Sequence, residues 1–228
     1  MIKEPKVDST DTQINKSLRF SFLDGVFASA MAGFIQDYLT PFLLLLGATT
    51  RHVGMLNAFP NLCASLVQLK SPDLVEKIKS RRKITNIFVF LQALMLLPMV
   101  FVAFLQGTKP SVFILFVVFY AAFGAVALPG WGSMMSDLVA KNKWGEYFGW
   151  RNRVLGFIIV ATTFVAGFLL YQIKKFNIFY GFGILFSFAF IFRIFSWYFL
   201  TRMHDPPLEH KKEDCFSLFD FLARIKES

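Results

Sequence analysis

Apolar residues arrive in long runs along this chain, separated by short polar stretches rich in Lys and Arg. They neither alternate with the period of two of a half-buried strand nor keep to the single stripe of a soluble amphipathic helix. A run of about 20 apolar residues is what a helix needs to cross the roughly 30 Å hydrocarbon core of a bilayer. The pattern predicts six such helices, over 18–47, 52–69, 84–106, 111–139, 151–173 and 177–201. Residues 1–17 form a polar leading segment and 202–228 a charged trailing one. Asp205-Pro206-Pro207 stops the sixth helix, because proline lacks the N–H that would continue it. Beyond it, Phe216, Phe219, Phe221, Leu222 and Ile225 recur near helical spacing. They predict a short amphipathic helix over 217–226, lying on the membrane surface or against the helix ends. The fold class expected is an all-α integral membrane bundle of six transmembrane helices with no soluble domain.

Composition agrees. Hydrophobic residues make up 55% of the chain, charged ones 17%, and the mean hydropathy is +0.52. A soluble domain of this size needs far more polar surface. The net charge of +9 sits mostly in short segments between apolar runs, so it reads as topology rather than as a nucleic-acid surface. The two cysteines, Cys63 and Cys215, suggest neither a disulfide nor a metal site. The leading residues hold no apolar stretch followed by a cleavage site, so the first span is expected to act as the insertion signal.

Lys and Arg near the ends of spans set orientation. With both termini in the cytoplasm, nineteen of them fall on the cytoplasmic side and only Arg51, Lys109, Lys174 and Lys175 on the other. The second span carries Asn57, Pro60, Asn61 and Gln68 and is the least apolar, yet this bias requires it to cross.

Ionisable residues at membrane depth are expensive and therefore candidates for function. Asp24, Asp37 and Arg193 qualify. Asp37 lies about 20 Å beyond Asp24 along the first span, at 1.5 Å per residue. Arg193 matches the depth of Asp24, which points to an intramembrane ion pair between them. Gly25, Ser29, Gly33, Gln36 and Thr40 recur every three or four residues on one face of the first span. Tyr120, Gly124, Ala127 and Trp131 do so on the fourth, with Trp131 beside an expected break at Pro129-Gly130. Such faces serve either helix packing or a water-filled path. The candidate substrate or ion path comprises Gly33, Gln36, Asp37, Thr40, Tyr120 and Trp131. Gly156, Thr163 and Gly167 in the fifth span read as packing. An intramembrane protease is disfavoured: Ser133 follows Gly132 but precedes Met134, and His52, His204 and His210 lie outside the spans. No zinc-binding His-Glu-x-x-His occurs, and neither cofactor nor metal is expected.

Positive-inside bias explains the basic loop residues but not the acids beside them. Between spans 2 and 3 stand Glu76, Lys77, Arg81 and Arg82; after span 4 come Asp137, Arg151 and Arg153. Ion pairs among them form a candidate cytoplasmic charge latch.

These loops carry a family resemblance. The segment 74–83 resembles the G-x-x-x-D-R-x-G-R-R loop of major facilitator superfamily (MFS) transporters, with Glu76 for the Asp, Lys77 for the Arg, and Pro72 and Lys79 at the glycine positions. Pro129-Gly-Trp131 through Asp137, Tyr147 through Arg153, and Gly54 through Pro60 resemble a bacterial branch of facilitator permeases. The fourth span lacks the antiporter arginine of the family, with Tyr120 near its place, and the fifth lacks the G-x-x-x-G-P pattern of drug/proton antiporters. The resemblance implies the N-terminal six-helix half of such a transporter, a 3+3 inverted repeat, in the bacterial inner membrane. Its implied partners are the lipid bilayer, a small-molecule substrate with or without a coupling proton or cation, and a second six-helix half, supplied by a longer reading frame or a second copy. A non-transporting scaffold is the alternative.

Overall fold

Each of the six apolar runs is helical in the computed structural model, which describes residues 9–70, 78 and 80–205. The leading residues 1–8, Glu76, Lys77 and the predicted 217–226 helix lie outside the described residues. Helix α1 spans Ser9–Ile35 and continues, through a 3₁₀ turn at Gln36–Tyr38, into α2 at Leu39–Leu45. The interruption follows from Pro41, which has no N–H for the Asp37 carbonyl and whose ring crowds it. Helix α3 is Thr50–Leu69, α4 Arg81–Leu105, α5 Pro110–Leu138, α6 Trp144–Ile173 and α7 Ile178–Thr201.

Local chemistry sets most of the ends. The Ser80 hydroxyl accepts from the Lys83 N–H (3.3 Å) at the start of α4. Pro110 opens α5, where an N–H would be unpaired anyway. The Asn177 carboxamide accepts from the Phe179 N–H (2.9 Å) at the start of α7. Three stretches differ from expectation, the first being α1, which begins at Ser9, well before the expected start at 18. Helix α5 runs unbroken through Pro129-Gly130; Gly130 packs so closely on α4 that an added Cβ would stand 2.7 Å from Thr85 Oγ1. Helix α6 begins about two turns earlier than predicted, because tertiary contacts outweigh Gly145 and Gly149. The Trp144 indole donates to the Val139 carbonyl (2.7 Å), Tyr147 Oη to the Leu18 carbonyl (3.3 Å), and Trp150 stacks on Phe22.

Successive helices run in opposite directions. The Ser17 hydroxyl accepts from the His204 N–H (3.0 Å), so the start of α1 and the end of α7 share one end of the bundle. His52 Nε2 meets the Ser111 hydroxyl (3.4 Å) at the other end, so α3 and α5 start there together. Helix α3 therefore lies alongside α5 along the bundle. Neighbours follow the order α6, α1, α7, α4, α5, α3. Exchanging α1 with α5, α3 with α6 and α4 with α7 maps this order onto itself and reverses every direction. That is the contact pattern of a 3+3 inverted repeat.

Five helical stretches among the described residues are long and apolar enough to cross a membrane: Gln13–Leu45, Arg81–Leu105, Pro110–Leu138, Lys141–Ile173 and Ile178–Thr201. Helix α3 falls short in apolarity because of its amides. The core at one end is aromatic, with Phe42 set among Phe113, Phe182 and Phe186 at centroid separations of 4.9, 5.1 and 5.2 Å. On α6, Phe157 and Phe164 point outward, 74% and 76% exposed, as lipid-facing side chains do.

Candidate functional site

Helices α1 and α5 touch at two levels along their lengths. At one Tyr120 Oη reaches Met31 Sδ (3.6 Å); at the other Ser21 Oγ reaches Met135 Sδ (3.1 Å). Between these levels a cavity is lined by small residues: Gly25, Ala28 and Ser29 on α1, Gly124 and Ala127 on α5. It has a volume of about 270 Å³ and is walled also by α4, α6 and α7. Half-exposed Leu128 stands among its lining residues.

Three charged side chains line it: Asp24, Arg151 and Arg193. Asp24 and Arg151 are each only 7% exposed. Asp24 and Arg193 are joined through Ser196, three residues on from Arg193 along α7. Arg193 Nη1 donates to Ser196 Oγ (3.0 Å), which donates to Asp24 Oδ1 (2.6 Å). Arg193 Nη2 donates to Gln92 Oε1 on α4. Gln92 in turn lies against Gly124, where any Cβ would displace it. Arg151 Nη2 donates to the Ser21 carbonyl (3.2 Å), and its guanidinium stacks 4.8 Å from the Trp131 ring centroid. The Nε groups of Arg151 and Arg193 and the indole Nε1 of Trp131 are buried without a hydrogen-bond partner. A low-dielectric, cation-rich site with unused donors results.

The structure thus gathers Asp24, Arg193 and Trp131 from the sequence-predicted residues. It adds Arg151, whose place in the latch is corrected. The early start of α6 turns Arg151 inward to Trp131 rather than toward the loop acids, while Arg153 stays exposed. Of the path candidates, Gln36 and Asp37 are exposed in the 3₁₀ turn and Thr40 lies in α2; none lines this cavity. Gly33 is buried against α6, where an added Cβ would meet the Ile159 carbonyl at 2.8 Å. Tyr120 sits at the cavity's Met31 end.

Of the latch residues within the described chain, Asp137 pairs with Arg81, which is 1% exposed. Its Nη1 pairs with Asp137 (2.6 Å) and donates to the Ser133 hydroxyl and carbonyl (3.0 and 3.1 Å). Its Nε reaches Asp205 (3.3 Å), which also accepts from the Arg82 N–H (3.2 Å). The Arg82 guanidinium donates to the Met203 carbonyl (3.1 Å). Asp205, read from sequence only as a helix stop, is a full member of the cluster. Gln92 and Ser196 were also missed: an amide inside the apolar run of span 3, and a hydroxyl one turn from Arg193, were the available signals.

Residues 20–226 match the family model described as Major Facilitator Superfamily. No curated protein and no solved structure matches the chain. Members of that family are membrane transporters rather than enzymes. With a match over most of its length and an inverted-repeat helical bundle, the chain belongs to the major facilitator superfamily of integral membrane transporters.

Proposed function

We propose that this chain forms one six-helix half of a secondary-active transporter that moves a small solute across the plasma membrane by alternating access, with both termini in the cytoplasm. The observation that carries the reading is the Asp24–Ser196–Arg193 chain beside Arg151 and Trp131, inside a cavity at membrane depth. Charges so placed are costly and are kept where they face a solute path. Trp131 and Arg151 contact the solute, and Asp24 positions Arg193 beside it through Ser196. Asp37 and Gln36, in the helix break at the far end of α1, line its approach from that side.

The Arg81–Asp137–Asp205 cluster holds α4, α5 and the end of α7 together and favours one closed state. Helix α3 offers the surface for the second half, from further chain or from a second copy. Its exposed Asn57, Asn61 and Ser65 bond back to the Val53, Asn57 and Asn61 carbonyls (3.0, 2.8 and 2.8 Å), which lowers the cost of holding them in the membrane.

Uptake of a radiolabelled solute panel by cells expressing the protein tests this. W131A and R151Q are expected to abolish accumulation of whichever solute the wild type accumulates, with unchanged amounts of protein in the membrane. Unaltered uptake in both variants would sink the assignment.

A further inference from the structure

The chemistry of the cavity's lining points to the class of solute. We infer that the cavity binds a small organic monoanion, a carboxylate head on an apolar or aromatic body; this rests on reading the cavity as the transport site.

The charge balance is the first argument. Two guanidiniums and one carboxylate, all largely buried, line the cavity and leave a net charge of plus one. Asp24 is already engaged by the Ser196 hydroxyl, which also receives Arg193. A cationic solute reaching Asp24 would meet both arginines, at an effective dielectric where like charges repel strongly. An anion neutralises the excess.

The second argument is the donor balance. A guanidinium has five N–H groups and no acceptor. Arg193 commits one N–H to Ser196 and one to Gln92, and Arg151 one to the Ser21 carbonyl. The Nε groups of both remain unpaired, as does the Trp131 indole N–H. These donors come from α5, α6 and α7, which border the same cavity. A bound group that satisfies them must supply acceptors. The planar guanidinium fork suits a carboxylate, which takes two parallel hydrogen bonds.

The third argument is the remaining wall. Ala28, Ala32, Leu128, Leu155 and Ile159 are apolar, and the volume of about 270 Å³ accommodates a body of one ring or a short alkyl chain. A polyanion or a sugar would leave its other polar groups unpaired against these side chains.

Binding of the purified protein in lipid nanodiscs to matched probes tests the inference by calorimetry and by shift of the unfolding temperature. The carboxylates are benzoate, phenylacetate and hexanoate; the controls are their uncharged amides and hexylamine. At least one carboxylate is expected to bind, and the amides and the amine to bind at least about ten-fold more weakly. R151Q, which brings the net charge to zero, is expected to weaken carboxylate binding by about ten-fold or more, with R151K between it and wild type. D24N, which raises the net charge, is expected to retain or tighten it. R151K and D24N that unfold like wild type supply the comparison even if R151Q fails to fold. Amides or amine binding as tightly as the acids, no carboxylate binding, or D24N abolishing carboxylate binding would each overturn the inference. Counterflow in proteoliposomes separates the two claims. A carboxylate that binds but never exchanges leaves this inference standing and sinks the transport reading. An amine or amide that binds and exchanges does the reverse.

Discussion

At the scale of single residues, Arg81 shows how burial and partners set a role. Arg81 is enclosed at the helix ends and paired with Asp137, Asp205 and Ser133. Removing it leaves Asp137, 46% exposed, to water, but strands the less exposed Asp205 and the Ser133 groups. R81A is expected to destabilise the protein by about 1–3 kcal/mol. R81K should fall between, since an ammonium cannot reproduce the fork, and D137N should cost less than R81A because its carboxylate is partly solvated. Thermal unfolding in detergent gives the ordering, and D137N unfolding earlier than R81A would show that Arg81 does not depend on this cluster. Within the cavity, S196A removes the hydroxyl that links Asp24 to Arg193. It is expected to cost about 1–3 kcal/mol by stripping a buried carboxylate of its donor, read by the same measurement.

At the scale of elements, the path residue Gly33 is decided by what it touches. Its Cα packs against α6, and an alanine Cβ there would lie 2.8 Å from the Ile159 carbonyl, an atom fixed in a helix backbone. G33A therefore has to push α1 from α6, at a cost of about 1–3 kcal/mol. A cysteine pair on α1 and α6, S29C with I159C, both of which line the cavity, should cross-link more slowly in G33A than in its parent. Unchanged cross-linking and unfolding would show that the two helices have slack there. The long helices were legible in the sequence because runs of Leu, Phe, Val and Ile at membrane length admit few alternatives. The match in depth of Asp24 and Arg193 was legible too, from helices running in opposite directions. The start of α6 was not: Trp144, Gly145 and Gly149 read as loop, and the segment is held helical by a local bond to Val139 and by contacts with Leu18 and Phe22 on α1. Missing that start misplaced Arg151 by a whole environment, from a surface latch to the cavity. The Ser196 and Gln92 bonds escaped for a related reason, since a single hydroxyl or amide gains meaning only once its facing helix is known.

At the scale of the molecule, the charge bias and the bundle geometry make one joint demand on topology. Helix α3 holds too many amides to be recognised as a span by composition, so hydropathy alone allows five crossings. The contact of His52 with Ser111 places the starts of α3 and α5 at one end, while Ser17 and His204 mark the other. Helix α3 then has to traverse the bundle to let α4 begin where α1 begins. The nineteen-to-four distribution of Lys and Arg asks for the same crossing, with the richer end in the cytoplasm. Single cysteines in a background lacking Cys63 and Cys215 test this in intact cells with a membrane-impermeant maleimide. R51C, K109C and K174C, all exposed at one end, should label from outside. K143C and R202C, exposed at the other, should label only after the cells are opened. A five-crossing chain that skipped α3 would keep R51C outside but send K109C inside and K143C outside, so that pair alone separates the two topologies. Labelling of K143C in intact cells would overturn the six-crossing arrangement, and with it the cytoplasmic placement of the Arg81 cluster.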